Sequence, residues 1–347
     1  MRLRAKFITT LFLLILLVIL NWNTIKDWAN ATSITGKSVA PQVLEENTTE
    51  PEVYFCPQDD CIGNMIAWLD AAQQSIHCAI YDIGLDELKQ KLLEKSKTID
   101  VKIVTDNDNY KKVSNMTFVK KDGTKGLMHN KFCILDGKAV WTGSFNPTER
   151  DNYKNNNNAV FYQSRFLADA YEAEFAEMWN KSFGKGDKTK NPVVIINGIK
   201  IEVCFAPEDW CASKIIYELQ EANKSIEFMT FSFTHDGIGK QLIERFKNGV
   251  NVKGVFETSQ ENNFTEYYPL KSAGLDVRWD GNKYNMHHKV FIIDNSTVIT
   301  GSFNPTANAE ERNDENLLII HDPAMAAMFS KEFEKVWGEA ENQTLTP

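Results

Sequence analysis

Cysteine is scarce in this chain, six in 347 residues, too few for a fold held together mainly by disulfides. The two short-range cysteine pairs have no histidine or Cys-x-x-Cys beside them, so zinc-site spacing is missing. Basic residues are outnumbered, 38 against 47 acidic ones, for a net charge of −9. That excludes a broad electrostatic binder of nucleic acid or anionic lipid, and any contact with phosphate has to be local. Long hydrophobic runs are also missing: the predominantly apolar stretch at residues 7–20 has 14 residues, against ~20 for a full span. A polytopic membrane protein is thereby excluded. At 43% hydrophobic and 24% charged, the composition is neither collagenous nor disordered, and the length suits two domains or one duplicated unit.

Arg2, Arg4 and Lys6 precede the apolar stretch and Asn21 comes directly after it, the layout of a secretory signal. The nearest small-x-small cleavage pattern, Ala29-Asn30-Ala31, is distant from it. We therefore read residues 1–24 as a signal anchor in preference to a cleaved signal peptide, with Trp22 at the interface. In both cases the positive-inside rule exports the remainder of the chain to a lumenal, secreted or cell-surface location. Residues 25–52 read as a flexible tether, rich in Thr, Ser, Glu and Pro. Export permits disulfides. Cys56 with Cys61, and Cys204 with Cys211, bracket Pro-acidic turns and are expected to pair; Cys78 and Cys133 lie in apolar runs and read as inert core thiols. Glycosylation sequons at Asn30, Asn47, Asn115 and Asn263 mark surface positions.

The chain is written twice. Val53-Tyr54-Phe55-Cys56-Pro57 returns as Val203-Cys204-Phe205-Ala206-Pro207, offset by 150 residues. Met128-His129-Asn130-Lys131 returns as Met286-His287-His288-Lys289 with the offset grown to 158, and Gly143-Ser144-Phe145-Asn146-Pro147-Thr148 recurs unchanged at 301–306. Copies of this size are duplicated domains, here 53–184 and 193–340, and the second holds eight extra residues between these anchors. Each copy reads as a short strand (53–56; 201–205), a helix (61–74; 211–223) and a buried strand (76–82; 226–233). Next come a helix (86–96; 236–248), a strand (101–105; 252–256), the motif region and a closing helix (165–182; 323–337). This alternation predicts a layered α/β fold with a mixed sheet. Asn197-Gly198 between 193–196 and 199–205 suits a type I′ hairpin turn.

Each copy carries H-x-K-x4-D: His129, Lys131 and Asp136, then His287, Lys289 and Asp294. On a strand, residues two apart share a face, so each His and Lys project together. The Asp has opposite parity to the His and should point away as a structural group. The turn dipeptides Asp136-Gly137 and Asp294-Asn295 fold each copy back, which brings Ser144 and Asn146 beside His129, and Ser302 and Asn304 beside His287. Such a set suits phosphoryl transfer. Lysine ammonium groups meet phosphate oxygens, with Ser and Asn as neutral donors. One neutral imidazole attacks phosphorus while an imidazolium protonates the leaving oxygen. Two histidines, one per copy, fill both roles without a metal or other cofactor.

Both stretches, with the downstream Gly-Ser-x-Asn, resemble the signature of the phospholipase D superfamily over essentially residues 51–340. The resemblance implies two tandem α/β/α sandwiches related by a pseudo-twofold, with one active site between them, so that a monomer suffices. It also implies a catalytic set of His129, Lys131, Asp136, His287, Lys289 and Asp294, a phosphohistidine intermediate and no required metal. The short copies look most like the small nuclease branch. Family members usually carry a Glu after Gly-Ser-x-Asn; here it is Glu315, and the matching first-copy position is Asn157. Read as low complexity, the run 155–158 is a loop and Asn157 has no role. Read as function, a carboxylate favours imidazolium whereas an amide orients a neutral ring. If each residue serves the His of its own copy, His129 is the nucleophile and His287 the acid, which is our expectation; if the partners cross, the roles reverse.

Lys111, Lys112, Lys120, Lys121, Lys125 and Lys131 face only Asp122 within 111–131, which reads equally as a local basic rim suited to a polyanionic strand or as a solvated lysine-rich loop. Phe264, Tyr267, Tyr268, Trp279 and Tyr284 flank the second motif and suit base stacking, burial in the core or contact with a membrane interface equally well. The sequence therefore favours an exported, membrane-tethered nuclease acting on DNA or RNA. A phospholipase D or phosphatidyl-transfer enzyme is the alternative, and an inactive phosphodiester-binding scaffold the third reading.

Overall fold

Period-two burial and short turns build two sheets of the same design. The computed structural model describes residues 43–343 apart from Thr124, so the signal-anchor reading and the tether up to residue 42 lie outside the described residues. The elements run β1 (Leu44–Glu46), β2 (Glu52–Cys56), α1 (Cys61–Ala71), β3 (Ser75–Ile80), α2 (Asp86–Lys95), β4 (Asp100–Thr105) and β5 (Val119–Lys121). The first copy continues with β6 (Lys131–Leu135), β7 (Ala139–Gly143), α3 (Glu149–Tyr153), β8 (Asn157–Gln163) and α4 (Arg165–Trp179). After β9 (Val193–Ile196) the second copy repeats the plan: β10 (Ile199–Ala206), α5 (Cys211–Glu221), β11 (Ser225–Thr230), α6 (Asp236–Lys247) and β12 (Asn251–Phe256). It closes with α7 (Tyr267–Ser272), β13 (Asp276–Trp279), β14 (Lys289–Ile293), β15 (Thr297–Gly301), α8 (Ala307–Glu311), β16 (Glu315–Ile320) and α9 (Pro323–Gln343).

The strand orders are β2-β8-β7-β6-β3-β4-β5 and β10-β16-β15-β14-β11-β12-β13, the second sheet extended at its β10 edge by β9 and β1. Within each, the β3–β4–β5 type pairs are parallel, as is the added β1–β9 pair, and the rest are antiparallel. The mixed α/β fold expected from the alternation is the fold observed. Strands β6, β7, β14 and β15 are buried throughout, as their continuous apolar runs require. Their hairpins turn at Asp136-Gly137 and Asp294-Asn295, all with φ between 51° and 59°, the left-handed pair of a type I′ turn. Seven of the eight extra residues of the second copy fall between β12 and β13, which holds α7 besides a 3-10 turn (Thr258–Gln260) like that of the first copy (Tyr110–Lys112).

A central core joins both copies. It combines Leu167, Tyr171, Phe175 and Met178 of α4 with Met325, Phe329, Phe333 and Val336 of α9 and the facing surfaces of both sheets. The i, i+4 and i+8 spacing of these residues puts them on one helix face. Ser164 starts α4 by accepting the N–H of Leu167. Across the centre, Thr142 Oγ1 donates to Asn316 Oδ1 and Asn158 Nδ2 donates to Thr300 Oγ1, both at 2.7 Å, a pair of bonds related by the pseudo-twofold.

Two expectations need correction. Cys78 and Cys133 are not free thiols: they form a disulfide, alongside the expected Cys56–Cys61 and Cys204–Cys211 bridges. They occupy facing positions on β3 and β6 with Cα atoms 4.1 Å apart, a cross-strand register that apolar context alone does not reveal. The tether also ends earlier than residue 52, because Leu44–Glu46 pairs in parallel with β9 and Glu46 accepts hydrogen bonds from Ser164.

Candidate active site

The two histidines reach one cleft because the copies exchange backbone bonds just before each motif. The His129 N–H donates to Asp314 O and the Asp314 N–H to Leu127 O; likewise His287 N–H donates to Asn156 O and Asn156 N–H to Asn285 O. These short parallel bridges, Met128 with Asp314 and Asn156 with Met286, set residue 315 against the first motif and residue 157 against the second. The side chains obey the same pairing. His129 Nδ1 lies 2.8 Å from Glu315 Oε2, and His287 Nδ1 lies 2.8 Å from Asn157 Oδ1. The partners therefore cross between copies, opposite to the within-copy arrangement expected from sequence, and the carboxylate serves His129 while the amide serves His287.

The Asn157 amide is oriented by its surroundings. Its Nδ2 faces Asp151 O at 3.4 Å, and its Oδ1 accepts from Ser144 Oγ at 3.0 Å. His287 Nδ1 accordingly donates, which leaves the Nε2 lone pair turned to the cleft. Ser302 Oγ donates to Glu315 Oε2 at 2.7 Å in the same relation. Both serines are completely buried, so they hold the groups behind the histidines and are not the phosphate donors expected from sequence. The glycine before each serine is required: a Cβ on Gly143 would stand 2.3 Å from Asn158 O, and one on Gly301 2.3 Å from Asn316 O.

Lys131 Nζ donates to His129 O and Lys289 Nζ to His287 O, each at 2.6 Å, over the rings of Tyr81 and Phe231 respectively. Burial, only partly offset by Glu315, Asp151 and other carboxylates, brings Lys131 down to about 8. Lys289 is held well below its ordinary range by burial and by Lys131. Burial also lowers His129, against the upward pull of Glu315; burial and the cations Lys289 and Lys131 hold His287 further down. Burial raises the Glu315 carboxyl, but His129, Lys131 and Ser302 outweigh it and leave it lowered. Burial dominates both lysine shifts, so an anion brought close to them would raise both.

The two motif aspartates stand apart from this site, as their parity requires, although the resemblance groups them with the catalytic set. Asp136 accepts the backbone N–H groups of Gln73, Gln74 and Ser75 at 2.6–3.1 Å, and Asp294 those of Asn223, Lys224 and Ser225 at 2.7–2.9 Å. Each ties a hairpin turn to the start of a neighbouring strand. Asp136→Ala should thus cost about 1–2 kcal/mol of stability, read as a lower urea midpoint, with activity per folded molecule retained.

Asn146 and Asn304 line the cleft, and the side-chain oxygen of each is buried without a hydrogen-bond partner. Residues 155–158 are not a solvated low-complexity loop: Asn157 and Asn158 open β8, all four asparagines are buried, and each side chain is hydrogen-bonded. Sequence reasoning missed Asp151, whose carboxylate accepts from Asn146 N and Nδ2 and Asn155 Nδ2 and lies 3.7 Å from His287 Nδ1. Its counterpart in the second copy is Ala309, and comparing the copies position by position would have exposed that difference. Three carboxylates elsewhere, Glu174, Glu177 and Glu208, bring ligand atoms within 4.8 Å of one another. Two of them line a separate cavity that contains neither histidine.

The basic rim is dispersed. Lys120 lies over Trp179, Lys121 over Tyr110, and Lys112 pairs with Asp82; Lys125 lines the larger part of the cleft. Of the aromatics, Tyr267 stacks on Trp279 at 4.1 Å and Tyr284 lies under Lys154. Phe264 is 79% exposed on the cleft wall.

Paired histidines and lysines from a duplicated α/β unit define a class of phosphodiester-processing proteins. A family model described as "Cardiolipin synthase, PLD-like domain" matches residues 65–179 and again 215–337, and the chain belongs to this phospholipase D-like family. It is 32% identical to a mitochondrial cardiolipin hydrolase of Xenopus laevis, over 43% of this chain and 72% of that protein. It is 35% identical to a phospholipase D of Rickettsia typhi, over 37% of this chain and 64% of the relative. Among solved structures, the phospholipase D family member Nuc from Salmonella typhimurium is 32% identical, covering 41% of this chain and 95% of that one, with a TM-score of 0.39. A phosphatidylserine synthase from Haemophilus influenzae shares the fold at 14% identity and a TM-score of 0.61, over 83% of this chain and 85% of that one.

Proposed function

We propose that this phosphodiesterase is an exported, membrane-tethered nuclease that works through a covalent intermediate on His287. The observation that carries the mechanism is the crossed pairing: an amide orients His287 as a neutral ring, and a carboxylate supports a proton on His129. His287 Nε2 attacks phosphorus, the P–O bond to the leaving group breaks, and that oxygen takes the proton of His129. A water then attacks the phosphohistidine, gives its proton to His129 and releases His287. Lys131 and Lys289 balance the charge of the phosphoryl oxygens.

The cleft wall favours a polynucleotide substrate. It is lined by amide and hydroxyl side chains, the cations Lys125 and Arg312, and the aromatics Tyr81, Phe231 and the exposed Phe264. The relatives named as cardiolipin hydrolase and phospholipase D favour the lipid alternative. Support for export comes from the three disulfides and the N-terminal signal pattern; among the described residues no helix is long and apolar enough to cross a membrane.

The test offers full-length protein in mild detergent, with EDTA present, single-stranded DNA, RNA, duplex DNA and mixed micelles containing cardiolipin. Oligonucleotide cleavage that is lost in His287→Ala is the expected result. Headgroup release without oligonucleotide cleavage would replace the nuclease by a lipase, and inhibition by EDTA reversed by one divalent ion would overturn the metal-free mechanism.

A further inference from the structure

Behind each reacting histidine a buried chain of polar side chains leads to the residue between the His and Lys of a motif, and the two chains run with opposite polarity. In the chain behind His129, Asn316 turns its amide nitrogen inward: Nδ2 donates to Asn130 Oδ1 at 2.8 Å and to Ser302 Oγ at 3.3 Å. Ser302 accepts there and gives its own proton to Glu315 Oε2. In the chain behind His287, Asn158 is turned the other way. Its Nδ2 donates outward to Thr300 Oγ1, so its oxygen faces Ser144 Oγ at 3.3 Å and His288 Nδ1 at 3.0 Å. His288, Asn158, Ser144 and Asn157 are all completely buried.

The reversal gives Ser144 a choice that Ser302 does not have. A hydroxyl has one proton to give, and two acceptors stand within reach of this one, Asn157 Oδ1 at 3.0 Å and Asn158 Oδ1 at 3.3 Å. Only the first bond supports the amide that orients His287. A carbonyl oxygen accepts and never donates, so the His288 nitrogen that meets Asn158 Oδ1 is the donor. That bond satisfies the Asn158 oxygen and leaves the Ser144 proton to Asn157. The far side of the His288 ring is fixed as well: Nε2 lies 3.4 Å from Glu332 Oε1 of α9, an oxygen to which Lys335 Nζ donates at 3.2 Å.

We infer that His288 is a positioning residue for the nucleophile: it occupies Asn158 Oδ1, commits the Ser144 hydroxyl to Asn157, and so keeps the Asn157 oxygen aimed at His287 Nδ1. This rests on His287 being the attacking ring of the proposed mechanism. The side chains meet in the order His288, Asn158, Ser144, Asn157, His287, and every link is 3.3 Å or shorter. Without the His288 donor, the Ser144 proton divides between two acceptors. Asn157 then loses part of the support that sets its amide plane, and the His287 ring gains freedom to turn. Misplacing a reacting atom by ~1 Å costs about 10²-fold in rate, and partial release of this ring is expected to cost about tenfold.

The experiment follows single-turnover release of p-nitrophenolate from bis(p-nitrophenyl) phosphate with full-length enzyme in excess, which reports attack alone and does not depend on the natural substrate. His288→Leu should lower the limiting rate about tenfold while the half-saturating enzyme concentration stays within about twofold. His288→Asn brings in the residue that meets Asn316 from the same place in the first copy. Its amide can donate to Asn158 Oδ1, so the rate should return to within about threefold of wild type. Ser144→Ala should cost as much as His288→Leu, and the double variant no more than about twofold beyond either, because both act through one hydroxyl. Multiplied losses in the double variant, His288→Asn as slow as His288→Leu, or a Ser144→Ala rate within about threefold of wild type would each remove this inference and leave His287 as the nucleophile. The Ser144→Ala result decides even where His288→Leu does not fold. A trapped adduct found on His129 by mass spectrometry would remove both the inference and the mechanism it rests on.

Discussion

His287→Ala should abolish turnover of every phosphodiester, whereas His129→Ala should spare the first step, though not turnover, for substrates whose leaving group needs no proton. The asymmetry comes from the crossed partners. With Asn157 accepting from Nδ1 and two lysines nearby, His287 is uncharged and nucleophilic. Without it no N–P bond forms, and no other residue on the cleft floor replaces the ring. His129 contributes a proton, and loss of a general acid typically costs about 10²–10⁴-fold on an alkoxide leaving group. With bis(p-nitrophenyl) phosphate the leaving phenolate is stable unprotonated, so the first step in His129→Ala should slow by no more than about tenfold. The second step, which needs His129 to take a proton from water, stays slow. A burst of p-nitrophenolate and then a stalled adduct, seen by mass spectrometry on His287, is the expected signature. The mirror result, with the adduct on His129 in a His287 variant, would reverse the roles.

The expectation from sequence has these roles the other way round, for a physical reason. Glu315 and Asn157 stand out as a matched, non-identical pair because both lie fourteen residues after the glycine of their copy. Which histidine each serves is decided by the Met128–Asp314 and Asn156–Met286 bridges, long-range contacts that leave no periodic trace. Strand parity, by contrast, is local. It places Asp136 and Asp294 away from the site, and both bind the backbone where β3 and β11 begin. Local patterning also locates most strands and helices to within a few residues. It fails wherever the outcome depends on what lies opposite: Cys133 across from Cys78, Glu315 behind Ser302, Trp179 beneath Lys120. The lysine-rich stretch reads as one patch because sequence shows that the charges are neighbours, and not that side chains leave a turn in different directions.

The same crossed pair predicts how the enzyme responds to pH. The free enzyme is active when His287 is neutral and His129 is protonated. Burial lowers both rings, but Glu315 pulls His129 back up while Lys289 and Lys131 push His287 further down. The order is therefore the productive one, with His129 keeping its proton to a higher pH than His287. As pH rises through the His129 value, below the ordinary imidazole range, kcat/KM falls; as pH drops through the lower His287 value, it falls again. The optimum is acidic. Glu315→Gln removes the charge that supports the His129 proton, so the alkaline limb moves to lower pH and the rate at a fixed pH on that limb drops at least about tenfold. Asn157→Asp sets a carboxylate against His287, raises its affinity for a proton and moves the acid limb upward, which narrows the bell from the other side. Profiles of kcat/KM for the three proteins between pH 4 and 8 test this directly. If Glu315→Gln instead moved the acid limb, His287 would be the proton donor, because the limb that a partner shifts identifies the ring it serves.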